Sequence, residues 1–283
     1  MALAQTPFYN NAAMRERLLA DVRSQGLLTS FWLGGGASEA RFETIAAEFV
    51  LDRALVRLIS ALAGGLGPEA IQFAQGAIEA LAMDRPSAPI AYQWLRGVWS
   101  RRVADKLEGS DALAPAQAVV ALLEQAAQGE VSSEYWRSAN RALVFLEDLA
   151  PQAADYAEVV QAMSWDPAAT PGMVGDVLIA LQSAARQDIF RAENWSAEQD
   201  QAYSDVVIGC QTRAAEQIPE EDRTDRGRFE EAYRAKFSAE YAAAPDQAFL
   251  RRAEEVHQAV MANAMQLAAD EQKAFLELLS QPG

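Results

Sequence analysis

Residues 38–65 read "SEARFETIAAEFVLDRALVRLISALAGG". At helical spacing this stretch carries two apolar stripes. Phe42, Ile45, Phe49, Val56 and Ile59 form one, and Leu51, Leu55, Leu58 and Leu62 form the other. A helix with a single apolar stripe can lie on the outside of a bundle, but one with two needs neighbours on both sides. The stretch therefore predicts a central helix in a layered helical array, capped by Ser38 and ended by Gly64-Gly65.

The same helical punctuation recurs along the chain. Asn11 is a cap for a helix ending at Gly26, and Pro68 stands where a first-turn proline belongs. Helices follow from Ser87 to Gly109, from Pro115 to Gly129, from Ser132 or Ser133 to about Ala150, and from Pro151 to Trp165. Thr170-Pro171 opens another that reaches Phe190. Ser196 and Gln199 have capping-box spacing for a helix to Gln217. Asp225 starts the next, Pro245 ends it, and Asp246 caps a last segment to Leu279 with a break near Asp270. No window alternates with period two in β-branched residues, so no sheet is expected. The prediction is an all-α protein of ten to eleven helices in an irregular multi-helix array. Proline-led helices at "GPEAIQFAQGAIEALA", "APAQAVVALLEQAAQG" and "TPGMVGDVLIALQSAA" also resemble a degenerate helical-hairpin, α-solenoid-like repeat.

Charge suggests a division of the chain. Residues 191–283 hold 18 acidic and 10 basic residues, against 22 and 14 in the preceding 190. The expected domains are a helical core, 1–190, and a more acidic C-terminal helical hairpin, 191–283. The net charge of −16 disfavours nucleic acid and anionic membranes, whose recognition needs clustered Lys and Arg. It allows a basic protein partner, and it also serves plain solubility. "MALAQTPFYNNAAM" has neither a basic start nor an apolar core segment, and no run approaches the roughly 18 apolar residues of a membrane span. The single cysteine, Cys210, rules out an internal disulfide framework. The expectation is a cytoplasmic protein, and an alanine- and arginine-rich composition suits a bacterial source.

The scarcity of reactive side chains limits the chemistry. There is one histidine, His257. Glu254 and His257 have the Glu-x-x-His spacing of helical di-metal sites, but such a site needs a second copy of the motif, and the chain has none. Zinc sites built from several His or Cys are excluded likewise. His257 is expected to flank an apolar stripe. Cys210 falls on the apolar side of its helix, as a small buried hydrophobe. "WLGGGASEARF" lacks the Lys of a phosphate loop and places Glu39 where phosphate would sit. "PEEDRTDRGRF" puts Arg226 and Tyr233 at calcium-ligand positions, which rejects an EF-hand. No cofactor and no metal are expected.

The most binding-like stretch is "YQWLRGVWSRR", joined by "EYWRSANR". Tyr92, Trp94, Arg96, Trp99, Arg101, Arg102, Trp136, Arg137 and Arg141 combine the residue types that dominate protein–protein hot spots. The expected function is non-catalytic protein binding, of adaptor, chaperone-like or inhibitor/immunity type, through these anchors and an acidic surface. The alternatives are a small apolar-ligand binder with an interhelical cavity and an enzyme that works with carboxylates. A pocket lined by Met, Phe and Trp would favour the first alternative. Paired carboxylates in one cleft would favour the second.

Overall fold

The computed structural model describes residues 12–24, 39–49, 51–64, 69–81, 86–129, 131–170 and 172–281. Among them are 13 α-helices and no strand. These are α1 (Ala12–Arg23), α2 (Glu39–Glu48), α3 (Arg53–Ala63), α4 (Ala70–Ala80), α5 (Ala88–Val98), α6 (Leu113–Gln128), α7 (Ser133–Val144), α8 (Pro151–Met163), α9 (Met173–Ala192), α10 (Ala197–Glu216), α11 (Glu220–Arg223), α12 (Arg226–Ala243) and α13 (Gln247–Ser280). The fold is the expected all-α multi-helix array.

Four elements depart from the sequence reading, one of them the helix expected to about Ala150, which ends at Val144. The long helix expected from Ser38 to Gly64 is two helices, because Asp52 caps a new one. Its Oδ1 accepts from the Ala54 N–H at 2.8 Å and the Leu55 N–H at 3.4 Å, and an aspartate cap satisfies donors that a continuing helix would leave to the backbone. The helix expected through Gly109 changes winding after Val98, into a π turn over Trp99–Val103 and a 3₁₀ turn over Ala104–Lys106. Helix α13 runs through Asp270 without a break. The expected caps at Asn11, Ser38, Pro68 and Pro171, and the glycines at 26 and 65, lie outside the described residues.

The chain forms two compact units, Met1–Ala184 with Met265–Gly283, and Ala185–Ala264. The division falls within α9 and within α13. It differs from the charge-based expectation at the C-terminus, where residues 265–283 belong with the first unit.

In unit 1 consecutive helices pack pairwise, α2 on α3, α3 on α4, α5 on α6, α6 on α7 and α7 on α8, while α1 reaches α4 and α3 reaches α5. Both stripes of the opening stretch are buried where described: Ile45, Phe49, Val56 and Ile59 on one side, Leu51, Leu55, Leu58 and Leu62 on the other. Each sealed Leu or Ile contributes about 1.5–3 kcal/mol. Ile90, Leu95, Val119, Leu123, Val159 and Val160 extend the same core through α5, α6 and α8.

Unit 2 has two small clusters. Phe190, Trp195, Ala253 and Val256 form one, and Cys210, Ala244 and Leu250 the other, with Tyr203 and Phe249 packed against both. Helix α12 packs on α10. It carries no fully buried residue but stacks Phe229, Tyr233, Phe237 and Tyr241 along one side, with centroids 5.9, 6.3 and 5.7 Å apart.

Candidate functional site: an acidic cleft in unit 1

A cleft of about 610 Å³ opens among the N-terminus of α3, the first turns of α5, the end of α6 and the turn after α8. Its apolar wall includes Pro86, Pro89, Ala126, Val131 and Ala168, and its polar groups include Asp52, Tyr92, Gln128 and Asp166. Among the described residues no Met, Phe or Trp lines it.

Local geometry fixes each polar group. Asp52 sits in the cleft because it caps α3, and its own N–H donates to Ser87 Oγ at 3.0 Å. Asp166 precedes Pro167, and its Oδ1 accepts the Ala168 N–H at 2.9 Å, the Asx-turn habit of aspartate. The Tyr92 hydroxyl donates to the same oxygen at 2.9 Å. Arg57, one turn into α3 and buried, donates through Nη1 to the carbonyls of Pro167 at 2.6 Å and Ala168 at 2.9 Å. That guanidinium ties the Asp166 turn to the helix that Asp52 caps. Each aspartate thus spends Oδ1 on the protein, and no described residue bonds its Oδ2.

The electrostatics follow from this arrangement. Burial holds the Asp52 carboxyl above its ordinary range. The Asp166 charge adds to that, while the Ala54 and Leu55 N–H groups and Arg57 oppose it. Burial, then the Asp166 carboxylate, pushes the Tyr92 phenol far up, so Tyr92 stays a hydrogen-bond donor. Two carboxylates and a neutral hydroxyl thus share one half-apolar cleft, groups whose chemistry suits a cation.

The aromatic residues singled out in the sequence are mostly interior. Trp94 and Trp136 are buried in the unit 1 core, Tyr92 is buried with its hydroxyl at the cleft, and Trp99 packs half-buried against the core. Wide rings fill the gaps between helices, which removes them as surface anchors. The arginines are divided among acids: Arg96 pairs with Glu124, Arg101 with Glu271, and Arg102 with Glu271 and Asp270. Arg137 bonds Ser133 of its own helix, Nη2 to Oγ at 2.7 Å, and Arg141 is exposed. The structure does not bring the nine residues together as one exposed patch. The exposed large side chains nearest to them in sequence are Tyr135, Val144 and Phe145, the last 75% exposed.

His257 flanks an apolar cluster, as its spacing suggests. It stacks on Tyr203 with centroids 4.8 Å apart and meets Phe190 edge-on. Its Nε2 lies 3.1 Å from Asp200 Oδ1, and neither atom makes a hydrogen bond among the described residues. Asp200 Oδ2 takes Arg186 at 2.7 Å. Glu254, the neighbour suggested by sequence, lies by Tyr241, whose phenol is raised by burial, then by Glu254 and Tyr203. Among the described residues no three His, Cys, Asp or Glu side chains gather as a metal site. Cys210 is buried, 3.4 Å from Arg213 Nη2. The "PEEDRTDRGRF" stretch is the short α11 and the Asp225 cap of α12. The glycine-rich loop at 34–36 lies outside the described residues. Among those residues no helix is long and apolar enough to cross a membrane.

No family model, curated protein or solved structure matches this chain. Sequence reasoning named Tyr92 but missed Asp52, Asp166 and Arg57. The available signals were the Asp-Pro turn at 166–167 and the cap position of Asp52, and both read first as structural devices.

Proposed function

We propose that this is a non-catalytic protein-binding protein, of adaptor, chaperone-like or inhibitor type, that takes a cationic side chain of a basic partner into the Asp52–Asp166 cleft. The observation that carries the reading is the pair of carboxylates in one cleft, each with one oxygen left for a ligand. The charge of −16 supports it, since an acidic surface steers a basic partner toward such a site. The buried lone cysteine suits a reducing, cytoplasmic setting.

Calorimetric titration with an oligolysine peptide at low salt tests it, with oligoglutamate as the control. Binding should weaken at least about tenfold in Asp52→Asn combined with Asp166→Asn, by the loss of two charge-assisted contacts. Equal affinity in the double variant sinks the proposal. A second reading, an enzyme working with carboxylates, is favoured by the raised Asp52 carboxyl beside Asp166, a pairing suited to acid–base work. Substrate turnover by pure protein that Asp52→Asn abolishes would replace the first reading with the second.

A further inference from the structure

Glu271 is a fully buried carboxylate, 0% exposed, on the part of α13 that belongs to unit 1. Its Oε2 lies 2.5 Å from Arg101 Nη2 and its Oε1 lies 3.0 Å from Arg102 Nε. Arg102 also holds Asp270 Oδ2 at 2.9 Å, and Gln266 Nε2 donates to Asp270 Oδ1 at 2.7 Å. One residue on, Gln272 Nε2 donates to the Leu62 carbonyl at the end of α3, at 2.8 Å. Phe275 and Leu279 are buried beyond it, with Phe73 against Phe275.

Both arginines stand on the π turn Trp99–Val103. A π turn is wider than an α turn, so consecutive side chains are closer in azimuth, and Arg101 and Arg102 can reach one carboxylate together. Gly97 is part of the device. A Cβ there would run into Arg101 Nη1, so the guanidinium that meets Glu271 through Nη2 would have to shift.

We infer that the π turn, Gly97 and the Arg101–Glu271–Arg102 set form a register lock that fixes where residues 265–281 of α13 dock in unit 1. Apolar contacts from Phe275 and Leu279 are tolerant of a slip by one turn. A buried carboxylate is not, because any other register leaves it without a counter-charge. In some proteins a buried ionic or polar group fixes register at a cost in stability. The inference does not depend on what the cleft binds.

Hydrogen exchange of the full chain, read by mass spectrometry, tests it. In Glu271→Gln the amides of 265–281 should exchange roughly a hundredfold faster, as expected when a buried pair is broken, while those of α6–α8 stay within about twofold. Equal acceleration throughout unit 1, or none, overturns the lock. Gly97→Ala serves if that variant folds poorly. Gly to Ala in a helix ordinarily stabilises, yet here the melting temperature should fall and 265–281 should open selectively. A raised melting temperature with unchanged exchange overturns the lock. Finally, Arg101→Met, Arg102→Leu and Glu271→Leu combined should keep the melting temperature but lose the protection of 265–281. Full protection in that apolar variant would show that Phe275 and Leu279 set the register without charge.

Discussion

Unit 1 and unit 2 solve the same problem with different side chains. Unit 1 seals aliphatic residues completely, with Leu18, Ile45, Leu55, Leu58, Leu95 and Leu123 all buried. Unit 2 is smaller and buries few residues to that extent. It relies on flat rings, most of them only half covered: the Phe229–Tyr233–Phe237–Tyr241 ladder, Phe249 stacked on the buried Trp195 at 5.5 Å, and Tyr203 on His257. A small helical unit has too little interior to hide many alkyl chains. Aromatic rings cover more surface per residue and gain from stacking even when one edge is wet. The larger unit can therefore rely on methyl packing, whereas the smaller one depends on rings.

The contrast predicts unequal costs for truncation. Leu58→Ala in unit 1 should lose about 2–5 kcal/mol, the range for a sealed aliphatic site, read from urea unfolding. Phe237→Ala in unit 2 should lose less, about 1–2 kcal/mol, since its ring is half exposed and its stacking is worth about 0.5–1.5 kcal/mol. Equal losses would erase the distinction between the units.

A smaller effect separates structure from ligand chemistry at the cleft. Asp52→Ala should cost about 1 kcal/mol of stability through the lost cap, whereas Asp52→Asn should keep the cap and remove only the charge. Matching losses in the two variants would mean that Asp52 does more for the fold than cap α3. Below that in size, His257→Gln should shift unit 2 by no more than about 0.5–1 kcal/mol and leave metal content unchanged. A metal that co-purifies with the native protein and is lost in this variant would contradict the assignment of His257 as a packing residue.

The pH response has two opposite parts, both within unit 1. The Asp52 carboxyl is raised from 3.8 by burial. Its ionised form therefore costs stability above the folded value, and that cost is relieved as pH falls toward 3.8. Asp270 is lowered from 3.8, first by its hydrogen bond from Arg102 and then by Gln266. Its contribution is present above 3.8 and is lost as pH falls through the folded value. Urea midpoints between about pH 7 and 3 should gain less on mild acidification in Asp52→Asn than in the native chain. Identical curves would remove Asp52 from the account.

Much of the fold was legible residue by residue. The two stripes in 38–65 announced burial on both sides, and Ser196 with Gln199 does form the predicted capping box. Asp225 and Asp246 cap as expected, accepting from Arg228 N–H at 3.1 Å and Phe249 N–H at 3.0 Å. The aromatic ladder was legible too, as rings at every fourth position from Phe229 to Tyr241, though the sequence reading passed over it. The candidate site was not legible. Asp52, Tyr92 and Asp166 are far apart in the chain, and each has a local role that hides a shared one.

The sequence alone determined the all-helical class and most helix ends, because propensity, capping and apolar periodicity act over a few residues. It also determined the scarcity of His, Cys and Lys that narrows the chemistry. The tertiary structure alone decided that Trp94 and Trp136 point inward, that Arg101 and Arg102 meet a glutamate some 170 positions away, and that two helix-end aspartates share a cleft. Those facts depend on which faces meet across distant segments, and no local rule encodes that.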